Sequence, residues 1–139
     1  MEQQQRYTLG KKDKLKSKKL IEQLFKEGKS FSLFPFRVLY LEVPASGLLN
    51  SHLQTAFSVS KKHFKNATDR NRVKRLMREA WRLRKNPLQD KLVQTNKPFA
   101  VFIIYTGNEL PEYHLLYEKT GTVIKRLLKI CHEAVVTNM

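Results

Sequence analysis

Apolar positions along the chain fall into blocks, each with its own spacing. Leu20, Ile21, Leu24 and Phe25 recur at helical intervals between Ser17, a good N-cap, and Gly28, a good stop, which predicts a first helix over Lys18 to Glu27. Phe36 to Val43 and Leu53 to Ser60 are rich in Val, Leu, Tyr and Phe and read as strands. Pro44-Ala-Ser-Gly47 interrupts the chain between them, so the pattern predicts an antiparallel pair joined by a longish loop. A short edge strand can precede them around Ser30 to Leu33, limited by Pro35.

Further on, Thr68 or Asp69 caps a long helix running to about Lys85. Asn86-Pro87 ends it, because proline disfavours helix in the residue before it. Leu88 to Val93 adds a turn or two. Phe99-Ala-Val-Phe-Ile-Ile-Tyr105 is apolar throughout and reads as a buried strand, and Gly107-Asn108 as a turn. Pro111 suits the start of a last helix reaching about Val135, with an apolar stripe of Leu115, Leu116, Val123, Leu127 and Ile130 and a weak middle at Gly121. Phe57, Phe99 and Phe102 are assigned to the core. Helix, two or three strands, helix, strand, helix is the order of a two-layer α/β (α+β) sandwich. No repeat or internal boundary interrupts it. Residues 1–139 read as one domain, with a basic N-terminal arm over about 1–14 that orders on binding.

Charge narrows the picture. The formal net charge is +15 over 139 residues. Self-repulsion of that size costs stability, and a polyanion that releases counterions on binding is the usual reason for it. Nucleic acid is the partner favoured for a folded domain this basic, ahead of an anionic membrane or an acidic protein. Cys131 is the only cysteine, which excludes an intramolecular disulfide and a Cys-rich zinc site. The start, Met1-Glu-Gln-Gln-Gln-Arg-Tyr-Thr-Leu-Gly, has no apolar core of a secretory signal, and no apolar run reaches the roughly 18 to 20 residues of a membrane span. The default location is the cytoplasm.

The informative stretch runs from Ser58 to Trp81. On a helix turning about 100° per residue, Val73, Leu76, Met77, Ala80 and Leu83 share one face. Arg70, Lys74, Arg78 and Arg82 form an i, i+4 ladder on another; Arg75 lies beside it, Arg72 flanks the apolar face, and Trp81 falls at the border. A solvated charged face is the ordinary explanation of such a run, but it normally mixes signs, and like charges four apart each cost a few tenths of a kcal/mol. Glu79 is the only acid between Arg70 and Lys85, with Arg75 as its natural partner. Arginine outnumbers lysine on the ladder, which suits fork-like contact with phosphate oxygens. Lys61, Lys62 and Lys65 precede the helix and extend its basic surface. Phe25, Phe36 and Tyr40 are aromatic rings on which a base could stack, with core packing the plainer role for each.

At Arg70-Asn-Arg-Val-Lys-Arg-Leu-Met-Arg-Glu79 the sequence resembles the signature of the bacterial ribonuclease P protein subunit: Arg-Asn-Arg, then Lys-Arg and a further Arg on a long helix. The resemblance reaches upstream to Ser58-Val-Ser-Lys-Lys62 and to Leu15 through Ser30, and the last strand and helix match in pattern. It implies an α/β sandwich with a left-handed crossover, the reverse of the general rule. It also implies an accessory role: a catalytic RNA that requires Mg²⁺ removes the 5′ leader of precursor tRNA, and the protein binds that RNA and the single-stranded leader. By position, Arg70, Asn71, Arg72, Lys74, Arg75, Arg78 and Arg82 would form the RNA-binding helix face. Ile21, Phe25, Val38 and Tyr40 would line the leader cleft, with Lys61 and Lys62 adding charge. No protein side chain would be catalytic and no cofactor or metal is assigned to the protein, which would be monomeric when free. Two departures stand out. Ile21 replaces a common phenylalanine, so stacking there is lost, and His63-Phe-Lys-Asn66 differs from the family's glycine-containing loop.

Three rivals remain. A nuclease acting alone would need paired carboxylates or a histidine pair. Asp13, Asp69 and Asp90 are widely spread, and His52, His63, His114 and His132 have no metal-ligand spacing. A ribosomal or general RNA-binding protein is separated from the family only by the motif. A helix-turn-helix DNA reader lacks its short turn and second helix after Asn86-Pro87.

Overall fold

The computed structural model describes residues 9–44 and 51–137, with side chains as far as Glu133. Its elements are α1 (Lys18–Glu27), β1 (Lys29–Leu33), β2 (Phe36–Glu42), β3 (Leu53–Val59), α2 (Ala67–Arg84), α3 (Asn86–Thr95), β4 (Phe99–Tyr105) and α4 (Tyr113–Thr137). Residues 45–47 of the expected chain break and residues 1–8 of the expected arm lie outside the described residues.

Helix α1 has the predicted limits. Ser17 Oγ accepts a hydrogen bond from the Leu20 amide at 3.2 Å, a cap contributing about 1 kcal/mol. At the other end the Gly28 amide donates to the Leu24 carbonyl at 2.9 Å. Gly28 has φ −67°, which any residue can adopt, so its value here is steric: a Cβ would collide with that same carbonyl.

The strand order corrects the expected hairpin. β1 and β2 form the antiparallel pair, Phe34-Pro35 making the turn with a cis peptide, while β2 and β3 do not meet. Strand β4 lies between them, antiparallel to β2 and parallel to β3, giving the order β1-β2-β4-β3. The reason is visible in composition. β4 is apolar at every position and can be covered on both faces only in the interior of a sheet, whereas β3 alternates with Gln54 and Ser58 and tolerates an edge. The parallel step from β3 to β4 is the crossover through α2 and α3.

The principal core lies between the sheet and α2, α3 and α4. Val38, Val101 and Ile103 meet Val73, Met77 and Trp81 of α2, Leu88 and Leu92 of α3, and Leu116, Val123 and Leu127 of α4. On the reverse face Leu15, Leu24, Leu39 and Ala100 form a smaller buried cluster beneath α1. Three assignments change. Trp81, placed at the border by the helical wheel, is 1% exposed and edge-on to Phe57. Phe102 belongs to the α1 face and is only half-buried, and Leu115 points away from the core.

Two helix boundaries also move. The cap of α2 is Asn66, whose Oδ1 accepts from the Thr68 amide at 2.9 Å, rather than Thr68 or Asp69. Asp69 remains in the first turn, near the positive helix end. Lys85 is itself helical, so Asn86-Pro87 bends the chain into α3 instead of stopping it; proline fits a first helical turn because its missing N–H has no partner there. The extra turn or two is a ten-residue helix, closed by left-handed Asn96 at φ 53°. At Gly121 the absent side chain leaves room for Arg84, whose guanidinium lies 4.5 Å from the Tyr117 ring centre.

The part of the N-terminal arm that is described is already docked. Lys14 bridges Thr55 in parallel, and the Leu15 amide donates to the Thr55 carbonyl at 3.1 Å, so this segment covers the free edge of β3. Buried Asp13 accepts from the Gly10 amide at 3.2 Å and from Ser51 Oγ at 3.3 Å. Lys85, also buried, is pushed down from the usual lysine range by desolvation, and the charge of Asp13 opposes that shift.

Candidate nucleic-acid interface

Helix α2 has no glycine or proline and turns Val73, Met77, Ala80 and Trp81 inward, which fixes what its other face presents. Asn71, Arg72, Arg75 and Arg78 are exposed, and Lys74 is half-buried beside them. On the helical wheel those four exposed side chains span an arc of about 120°. Four guanidinium and amide groups at this spacing offer forked donors to successive phosphates.

The two ends of the predicted ladder are engaged within the protein. Arg70 Nη1 donates to the carbonyls of Phe64 at 2.7 Å and Lys65 at 2.9 Å. It fastens the basic loop to the start of α2 and thereby sets where Lys61 and Lys62, both exposed, stand. Arg82 Nε donates to Glu79 Oε2 at 3.1 Å, with a second bond from Nη2 to Oε1. These bonds hold the Glu79 carboxyl below its ordinary range, and the partner is Arg82, not Arg75 as the wheel suggested. An i, i+3 pair leaves Arg75 free to face outward. Within the loop, Phe64 is buried against Tyr105, with ring centres 6.0 Å apart, which ties the departure at His63-Phe-Lys-Asn66 to the core.

The expected cleft divides between the two faces of the sheet. Ile21 and Phe25 lie on α1 over the reverse face as anticipated. Val38 and Tyr40 point the other way: Val38 is fully buried in the principal core, and Tyr40 stacks on Phe99 with ring centres 6.2 Å apart. Val38 and Tyr40 are thus one residue out of phase with the β2 positions that face α1, and in a period of two a one-residue slip exchanges every side chain. The β2 positions that share the face of α1 are Arg37, Leu39 and Leu41; Leu39 is buried under the helix and Arg37 is exposed. In register with Arg37 stand Ile104 on β4 and Ser58 on β3, and with Leu39 stand Phe102 and Ala56. Phe25, 53% exposed, meets Phe102 edge-on with ring centres 5.0 Å apart. The result is an open half-channel: an aromatic wall at α1, a floor of Ala56, Ser58, Phe102 and Ile104, and Arg37 at one side.

This channel and the α2 arc meet at the edge of β3. A cavity of about 220 Å³ there is lined by Ala56 and Phe57, by Lys14 and Lys16 from the N-terminal segment, and by Arg78. Lys14, Lys16 and Arg37 escaped the sequence reading. Lys14 falls at the end of the segment read as an arm, Lys16 lies between that arm and the first helix, and Arg37 needed the strand phase. Among the described residues no three His, Cys, Asp or Glu side chains are grouped as a metal ion requires, and no helix is long and apolar enough to cross a membrane.

Comparison with known proteins supplies the family. Residues 9–129 match the family model described as Ribonuclease P. The chain is 37% identical over 112 residues to the ribonuclease P protein component of Porphyromonas gingivalis, covering 77% of each chain. It is 30% identical over 129 residues to that of Chlorobium phaeobacteroides, covering 86% of this chain and 88% of the relative. The RNase P protein from Thermotoga maritima superposes with a TM-score of 0.63 at 25% identity, covering 81% of this chain and 96% of the other. The Staphylococcus aureus RNase P protein shares the fold, with a TM-score of 0.61 at 21% identity over 85% of this chain and 94% of that one. The family model covers most of the chain, including the α2 helix and the basic loop before it: this chain is a member of the ribonuclease P protein family.

Proposed function

We propose that this chain is the protein subunit of a bacterial ribonuclease P and assists the catalytic RNA in removing the 5′ leader from precursor tRNA. The outward arc of α2, Asn71, Arg72, Arg75 and Arg78, binds the catalytic RNA through its phosphates, helped by Lys74, Lys61 and Lys62. The half-channel beside α1 holds the single-stranded leader. A leader base stacks against Phe25, and Arg37 and Arg78 meet the backbone. The hydrolysis belongs to the RNA, which takes up the Mg²⁺ it requires. The protein lowers the repulsion between two polyanions and sets the path of the leader. The free protein is a monomer and works in the cytoplasm, where precursor tRNA is made.

The observation that carries this reading is the junction at β3, where Arg78 of the α2 arc lines the same cavity as Ala56 from the channel floor. The basic arc and the channel floor are thus continuous. The test is equilibrium binding of precursor tRNA and mature tRNA to the catalytic RNA, with and without this protein. The protein should tighten binding of the leader-bearing form selectively. Equal tightening of both forms would remove the channel from the account.

A further inference from the structure

On the side of the sheet away from α1, a second groove of about 510 Å³ opens between α4 and the β1–β2 hairpin. Its wall on α4 carries Lys125, Arg126 and Lys129, all exposed, and its floor carries Phe31 and Tyr40. The Arg126 guanidinium lies 4.7 Å from the Phe31 ring centre, so this cation is held over an aromatic surface instead of sweeping through solvent. Burial raises the Tyr40 phenol above its ordinary range while Arg126 pulls it back; the hydroxyl stays protonated at neutral pH and can donate. Ser30 adds a hydroxyl on the hairpin side, and among the described residues Glu133 is the one acid on the rim. Neither the α2 arc nor the α1 channel uses any of these groups.

We propose that this groove binds a phosphodiester segment of RNA, a third contact on the face opposite the leader channel. The inference rests on the RNA-binding reading above. Three cations within five residues of one helix, one of them preoriented by a ring, match phosphates spaced along a strand. The volume is that of a small-ligand site and admits a nucleotide. A protein with basic grooves on both faces of its sheet would be gripped by RNA from two sides, which gives the large positive excess a use beyond α2.

The test is the salt dependence of binding to ribonuclease P RNA, compared for the intact protein, K125Q/R126Q/K129Q and R72Q/R75Q. Loss of the groove cations should flatten the log–log slope by roughly two units while preference for leader-bearing over mature tRNA is kept. Because Arg126 also packs on Phe31, K125Q/K129Q serves as a second variant that preserves that stack and should flatten the slope by about one unit or more. A slope unchanged in both groove variants but flattened in R72Q/R75Q would overturn the groove and leave the RNA-binding reading standing. A slope unchanged in all three would overturn both.

Discussion

Phe25 stands edge-on to Phe102, with ring centres 5.0 Å apart and planes inclined by 66°, yet half of Phe25 is open to solvent. The ring is therefore held against the sheet while much of its surface stays available. Stacking a base on such a ring is worth about 1 to 3 kcal/mol. Phe25→Ala should weaken binding of precursor tRNA by the assembled complex roughly 5- to 150-fold and leave mature tRNA unchanged. Its cost in folding stability should be on the order of 1 kcal/mol, the scale of an aromatic pair, read by denaturant unfolding.

The one-residue phase of β2 separates Arg37 from Val38. Arg37 is exposed on the channel face and Val38 is fully buried on the other. Arg37→Gln should lower affinity for leader-bearing substrate severalfold and change stability by less than about 0.5 kcal/mol. Val38→Ala should do the reverse, costing on the order of 2 kcal/mol through the cavity it leaves while the ratio of precursor to mature tRNA binding stays put. Binding assays and denaturant curves on the two variants distinguish the faces. A leader defect specific to Val38→Ala would restore the original phase.

Arg70 begins the Arg-Asn-Arg motif but spends its guanidinium on the Phe64 and Lys65 carbonyls. Charged hydrogen bonds of this kind contribute about 1.5 to 3 kcal/mol when well made, less where solvent reaches them. Arg70→Ala should therefore destabilise the fold by about 1 to 2 kcal/mol and weaken RNA binding as well. Arg72→Ala and Arg75→Ala should weaken RNA binding with stability unchanged to within about 0.5 kcal/mol. Parallel thermal unfolding and RNA titration of the three variants checks this division.

Cys131 is buried in the principal core, and burial pushes its thiol up to about 11. The thiolate is the reactive form, so at pH 7 to 8 the folded protein should react with a thiol reagent orders of magnitude more slowly than the denatured chain. The folded-state rate should rise only as pH approaches the elevated value. Rapid labelling of the native protein at neutral pH would show that the α4 core opens readily.

Local signals in the sequence suffice where a single element decides the outcome. Ser17 and Gly28 mark α1 because capping is a matter of a few neighbouring residues, and the inward face of α2 at Val73, Met77 and Ala80 follows from helical phase. Its basic side does not: Arg70 and Arg82 of the expected ladder are bonded within the protein, and the exposed arc is Asn71, Arg72, Arg75 and Arg78. Strand order was not readable in the same way. That β4 would enter between β2 and β3 depends on which strand must be covered on both faces, a property of the whole sheet. The cleft suffered from the period of two: Tyr40 and Leu39 are neighbours in sequence and opposite in space. Long side chains added a third limit. Arg82 reaches Glu79 and Arg84 crosses to Tyr117, choices among rotamers that a helical wheel cannot make.

The central claim is that this protein enables an RNA catalyst to process precursor tRNA. The most direct measurement is cleavage of a precursor tRNA by a bacterial ribonuclease P RNA at low Mg²⁺, with the protein present and absent. Strong stimulation at the mature 5′ end, with no cleavage by the protein alone, is the predicted result. Tight RNA binding without stimulation, or cleavage by the protein in the absence of RNA catalyst, would contradict it.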